Sequence, residues 1–198
     1  MRTGALCWLA YQFFCPTMNT KDESATAEIK RLFAALRPAF PDLEAITVLH
    51  IGAEQTLVAS ASSDSPAILA IAIGSSAGGA AHMLHTPPTA AEVEEAIQIV
   101  EDAIFPVRAM LAHASTLLTD DPGIAEIADL AGLAEAPRRV LSREAVERLF
   151  GRMAMLAEGQ PLAHSGLPAR ADFYVTLLIL REFLHHQGFD AITIETQR

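Results

Sequence analysis

The 198-residue chain carries a formal charge of −10 and is 51% hydrophobic. That length suits one or two domains with a substantial core, and the apolar content excludes a disordered chain. The acidity argues against general binding to nucleic acid or to an anionic membrane surface, and it disfavours a polyanionic ligand unless basic residues cluster locally.

The two cysteines, Cys7 and Cys15, make no disulfide framework, so a reducing cytoplasm is the expected compartment. No C-x-x-C or paired ligand spacing suggests a structural zinc. Residues 4–16 are apolar but shorter than the roughly 20 residues a bilayer span needs. Three readings of this segment stay open. It is a secretory signal with Ala25-Thr26-Ala27 as the cleavage site, a core element, or a stretch ahead of a true start at Met18. Residues 1–24 are accordingly set apart from a single domain over 25–198.

In chain order, residues 25–36 read as an amphipathic helix with Ile29, Leu32, Phe33 and Leu36 on one side, ended by Pro38 and Pro41. Three strand-length apolar runs follow: 46–51, 56–60 and 68–73. The third, AILAIAI with its lead-in residue, is apolar enough to expect burial on both faces. Short connections between the three predict an antiparallel meander. GSSAGG at 74–79 is a flexible break. Thr89 and Glu92 form a capping box for a helix striped by Val93, Ile97, Val100 and Ile104, which Pro106 ends.

Residues 114–119 are expected as a fourth strand, followed by a turn at Asp120-Asp121-Pro122-Gly123 and a short helix over 124–130. Ser142 caps a helix with Val146, Leu149, Phe150, Met153 and Leu156 inward. A long helix runs from Pro168 to Gln187 with Gly188 as its stop, and 191–195 is the last strand. Three meander strands, then alternating helices and strands, is the ribonuclease H-like order of the actin-like ATPases. Periodicity alone supports a mixed α/β sheet and leaves other α/β arrangements open.

Several constellations invite a sharper reading. His82 and His85 stand at i, i+3 but beside a glycine-rich loop, and polar surface is expected. His185-His186 are expected to serve the final carbonyls and dipole of their helix. Arg138, Arg139 and Arg143 form the main basic cluster, expected as solvated charge flanking a helix. Ser75, Ser76, Gly78 and Gly79 lack the P-loop pattern and read as a connector. Ser115, and Ser165 beside His164, sit in no nucleophile elbow. His50 is a candidate acid–base residue at a strand end.

LSREAVERLFGRMAML at 141–156 and GLPARADFYVTLLILREFLHHQGFDAITI at 166–194 resemble, respectively, LSxEExExLxxxLxxM and GLxxxRADxIxxGxxILxxLLxxLGxxxIxVS. HTPPTAAEVEEA resembles DPPTxxELxxL. These are scaffold motifs of the exopolyphosphatase/guanosine pentaphosphate phosphatase (Ppx/GppA) family. The resemblance covers roughly residues 46–195, the family's second domain, and implies an actin-like ATPase fold.

The motifs that carry the family's activity differ. Its first phosphate turn, D-x-G-G-G-S-T-E, aligns with 50–57, where His50 replaces the metal-binding carboxylate. Only Gly52 and Thr56 remain, and Glu54 stands where phosphate is held. The second turn, G-T-G-G-T, aligns with Leu118-Thr119-Asp120-Asp121-Pro122. There two carboxylates meet the helix N-terminus that would otherwise attract an anion. At about 4 Å and intermediate dielectric, a unit charge opposes phosphate by about 4 kcal/mol.

The implied function is therefore a degenerate, non-catalytic relative acting through ligand or partner binding. The alternatives are an Mg2+-dependent phosphohydrolase of polyphosphate or pppGpp, with Glu54, Asp120 and Asp121 as carboxylates, and a nucleotide or second-messenger sensor without turnover. His50 and Glu54 are the catalytic candidates. Gly52, Glu54, Thr56, Thr119, Asp120 and Asp121 are the phosphate-loop positions. A homodimer or a partner protein is expected to cover the face that the family's first domain occupies. A small phosphorylated ligand is compatible with this reading, nucleic acid and membrane are not, and no metal site is assigned.

Overall fold

The structure, a computed structural model, describes residues 20–76 and 83–196. Its centre is a six-stranded mixed sheet. Strands β1 (Ile46–Ile51), β2 (Thr56–Ala61) and β3 (Ala67–Ile71) form the antiparallel meander. Strand β4 (Thr116–Thr119) lies parallel to β1, and β6 (Ala191–Glu195) lies parallel to β4. Strand β5 (Arg138–Ser142) closes the far edge antiparallel to β6, giving the order β3-β2-β1-β4-β6-β5.

The two-residue alternation of the strands sends their side chains into two cores. Leu49, Ile51, Val58, Leu117, Leu141, Ile192 and Ile194 face one side. There they pack with α2 (Ala90–Ile104), α3 (Pro122–Leu130), α4 (Arg143–Ala157) and α5 (Ala171–Gln187). Ile46, Val48, Leu57, Ala59, Ala61 and Leu118 face the other side, where α1 (Thr20–Leu36) lays Ile29, Phe33 and Leu36 against them. Helix α5 is apolar nearly all round, with Phe173 to Leu180 all buried, as a helix enclosed by α2, α3, α4 and the sheet must be.

Local chemistry sets the helix ends. Thr89 and Glu92 make the full capping box of α2. Ser142 Oγ accepts from Ala145 N–H at 3.2 Å to open α4. Gly188, at φ 78°, takes the left-handed conformation that ends α5. Arg170 of the Arg170-Ala171-Asp172 triplet bonds Glu126 of α3 at 2.9 Å and Asp172 at 3.2 Å, so this motif fastens α3 to the start of α5.

Four expectations need correction. Helix α1 starts at Thr20, so the division at residue 24 falls inside a helix. Strand β3 is an edge strand with Ala67 and Ala70 exposed, because the meander turns outward from β1 and leaves it one neighbour. Of the basic cluster, Arg138 and Arg139 lie in a strand, Arg143 opens α4, and all three are paired. Arg138 Nε meets Glu195 at 2.7 Å, the buried Arg139 pairs with Asp129, and Arg143 meets Asp190 at 2.9 Å. Finally, the last carbonyls of α5 are taken by backbone N–H groups of Gly188 and Phe189 and by Arg108, while His186 turns its ring to Glu101 and Glu182.

Candidate functional site

The ends of β1 and β4 lie side by side because the two strands are parallel neighbours, and the chain leaves each at the same edge of the sheet. The turn 52–55 follows β1. The segment Asp120-Asp121 leads from β4 into α3. In open α/β sheets, such carboxyl strand ends are where ligands bind.

Asp121 joins the two turns. As N-cap of α3, its Oδ1 accepts from Gly123 N–H at 2.8 Å. Its Oδ2 accepts from Ile51 N–H, also at 2.8 Å, across 70 residues of sequence. Its own N–H donates to Thr119 Oγ1 at 3.0 Å. The carboxylate is buried and 3.3 Å from His50 Nδ1. A negative group therefore already sits at the positive end of α3, with both oxygens satisfied by backbone N–H donors.

The first turn is closed from its own side. Gly52 N–H donates to Gln55 O at 3.0 Å. Ser75 and Ser76 N–H donate to Gly52 O and Ala53 O at 2.9 Å each, and Ser76 Oγ reaches Ala53 O at 2.6 Å. Gly74 is required for this approach, since a Cβ there would lie 2.5 Å from the Gly52 and Ala53 carbonyl oxygens. Thr56 is buried and donates to Ile73 O at 2.7 Å, a structural role. Glu54, on the same turn, is exposed. Residues 77–82, including His82, Gly78 and Gly79, lie outside the described residues. His85 meets Glu92 at 3.0 Å.

Beside this junction opens a cavity of about 410 Å3, lined by Glu28, Arg31, His50, Asp120 and the apolar Ile29, Leu32, Ala35 and Pro122. Helix α1 supplies five of these eight residues, so the helix that covers the sheet also walls the site. Glu28 Oε1 is 3.9 Å from His50 Nε2. Burial raises the Asp120 carboxyl above its ordinary 3.8, and the nearby His50 opposes that rise. Glu28 and Arg31 escaped sequence reasoning. On the amphipathic pattern of α1 they are ordinary polar positions, and only the packing angle of the helix brings them to the β1 end.

The sequence-stated candidates thus divide. His50, Asp120 and Asp121 come together; Thr119 and Gly52 hold the two turns from within; Thr56 bonds Ile73 O, and Glu54 lies exposed on the first turn. Mg2+, implied by the family resemblance, requires several oxygen ligands. The residues here do not fit it. An imidazole stands in the carboxylate position, and both Asp121 oxygens are taken by N–H groups. Among the described residues, Glu54, Asp120 and Asp121 do not gather into a three-ligand group.

No family model and no curated protein matches the chain by sequence. Solved structures do match. The Aquifex aeolicus PPX-GPPA enzyme is similar over 83% of this chain and 57% of its own, with TM-score 0.69 and 16% identity. An exopolyphosphatase from Cytophaga hutchinsonii is similar over 86% of this chain and 59% of its own, with TM-score 0.66 and 16% identity. The chain spans a little under three fifths of the length of these neighbours. At such identities the likeness speaks for the fold. No described helix is long and apolar enough to cross a membrane. In three dimensions the chain has the mixed-sheet fold of the Ppx/GppA exopolyphosphatases, the ribonuclease H-like fold of actin-like ATPases, over a domain-sized part of their length.

Proposed function

We propose that this chain is a non-catalytic, phosphatase-like protein that acts by binding a ligand or partner. The observation that carries the reading is Asp121: its carboxylate caps α3 and holds the Ile51 N–H, filling the ground where phosphate-binding turns would close on a substrate. A phosphate brought there meets a buried like charge instead of free donors. The charge of the adjoining cavity supports a different ligand. Glu28 and Asp120 flank His50, and Arg31 is the single Lys or Arg among the described lining residues. Such a wall suits a cationic or hydrogen-bond-donating group on an apolar body, for example a basic side chain of a partner.

A homodimer in the cytoplasm belongs to the same proposal. The dimer is supported by the side of β5 turned away from α2, α3, α4 and α5, where Val140 is 60% exposed. Size-exclusion chromatography with light scattering at micromolar concentration tests it, and a strict monomer counts against it.

The ligand reading is tested by calorimetric titration with polyphosphate, ATP, GTP and ppGpp, with and without Mg2+. No binding heat is expected for any of them. Micromolar binding that is lost in Arg31→Ala would replace this reading with an anion sensor.

A further inference from the structure

A second group of chemical side chains lies between the helices on the opposite side of the sheet. Glu101 stands near the end of α2. Glu182 and His186 stand one turn apart on α5, on one helix face. His186 Nε2 is 3.1 Å from Glu101 Oε1 and 3.3 Å from Glu182 Oε2, and the three atoms all lie within 4.8 Å of one another.

We propose that Glu101, Glu182 and His186 bind a divalent cation of the zinc class. An independent observation points to a ligand. Glu182 is 0% exposed, yet its Oε2 accepts no hydrogen bond. A buried carboxylate oxygen that accepts no hydrogen bond costs about 1–3 kcal/mol or more, so its persistence calls for a ligand beyond the His186 ring beside it. A proton on His186 does not supply one fully. Nε2 carries at most one N–H, and two carboxylates face it at 3.1 and 3.3 Å. A cation placed among the three atoms takes a lone pair from each.

The spacing agrees. Metal–ligand bonds of about 2.0–2.1 Å in a tetrahedron place ligand atoms about 3.3 Å apart. One imidazole with two carboxylates selects zinc-class metals over Mg2+ and Ca2+, which prefer all-oxygen shells. Glu101 and His186 are a third or more exposed, leaving a fourth position open to water.

The surroundings fix the ligands before any metal arrives. Arg181 Nη1 pairs with Glu182 Oε1, while Arg181 Nε is held by both oxygens of Glu147 at 3.1 Å, so Oε2 is the oxygen left to the site. Arg108 Nη1 donates to His186 O at 3.1 Å, and Gln187 Nε2 donates to Ile104 O at 3.1 Å. These bonds tie the end of α2 and the 3-10 turn after it to the end of α5, so a bound cation would clamp two helices that already pack together. Neither cavity nor turn of the strand-end site takes part, and the two proposals stand or fall separately.

The test uses the full chain stripped of metal with a chelator, then titrated with Zn2+ by calorimetry and with Co2+ by visible absorption. One Zn2+ per chain, a rise in thermal midpoint with Zn2+, and a four-coordinate Co2+ band are expected. Glu101→Gln and His186→Ala should each weaken Zn2+ binding at least about tenfold and erase the Co2+ band, whereas His185→Ala and His85→Ala should leave both unchanged. Both ligand variants replace partly exposed side chains, and their midpoints in chelator report folding directly. Imidazole nitrogen NMR of the wild-type chain supplies a readout without any variant: Zn2+ should shift His186 Nε2. No Zn2+ binding by the wild type, or binding unchanged in both variants, overturns the proposal, as does an unshifted His186 at saturating Zn2+.

Discussion

Replacing Asp121 with alanine removes three things together. The α3 N-cap is lost, which costs about 0.5–2 kcal/mol in comparable helices. The Ile51 N–H, buried at the β1 end, loses its acceptor, which costs about 1–3 kcal/mol. The bridge between the two turns is gone. If the first two costs add, Asp121→Ala should lower stability by about 1.5–5 kcal/mol. For a chain of this size each kcal/mol moves the thermal midpoint by about 2–4 °C. Asp121→Asn is the informative comparison. Its single side-chain oxygen can accept from Gly123 or from Ile51, and its NH2 then faces the other N–H. It should therefore fall most of the way to alanine despite its near-identical shape. Urea unfolding followed by circular dichroism measures both, and amide hydrogen exchange at Ile51 and Gly123 locates the loss. A change under about 0.5 kcal/mol for both variants, with Ile51 protection unaltered, would refute the view that this carboxylate locks the site.

Two further predictions concern pH. Burial lifts the Asp120 carboxyl above its ordinary 3.8. As pH rises from 3.8 to the folded-state value, the unfolded chain gives up this proton while the folded chain keeps it, so stability falls through that window. Asp120→Asn should therefore be more stable than wild type at pH 7, with the difference fading below the ordinary carboxylate range; denaturant midpoints across pH measure it. Glu92 shows the opposite sign. The Thr89 backbone N–H, then His85, lowers its pKa from 4.5 to about 2. Its contribution is full above pH 4.5 and is lost as pH falls through about 2. Glu92→Gln should remove that acid sensitivity at the start of α2, read by exchange of the Leu84 and Thr89 amides, both of which donate to Glu92.

Much of the fold was legible because it rests on local rules. The strand-length apolar runs and short turns of 46–73 predict a meander, and Thr89, Ser142 and Gly188 announce helix ends whose geometry follows. Strand β5 was not legible. RRVLS is short and holds two arginines, and it becomes a strand by pairing with β6 about 50 residues later, with Asp129 neutralising the buried Arg139. The edge position of β3 was hidden for a related reason: apolar composition reports burial of a segment, whereas strand order is a property of the whole sheet.

The site divides the same way. The sequence reads 120–123 as a turn before a helix at 124–130, whereas α3 starts at Pro122 with Asp121 as its N-cap, a local shift of the helix start. The second bond of Asp121, to Ile51 N–H, depends on β1 and β4 lying parallel. Likewise Glu101 lies 85 residues from His186, and only the packing of α2 on α5 brings them to 3.1 Å.

The central claim is that the strand-end turns hold their own carboxylate and do not turn over phosphate. Orthophosphate release from polyphosphate and from pppGpp, with Mg2+ and the intact chain at micromolar concentration, tests it most directly. The account predicts release indistinguishable from a protein-free blank for both compounds. Steady release by the wild-type chain that disappears in the Glu54→Gln/Asp120→Asn double variant would contradict it.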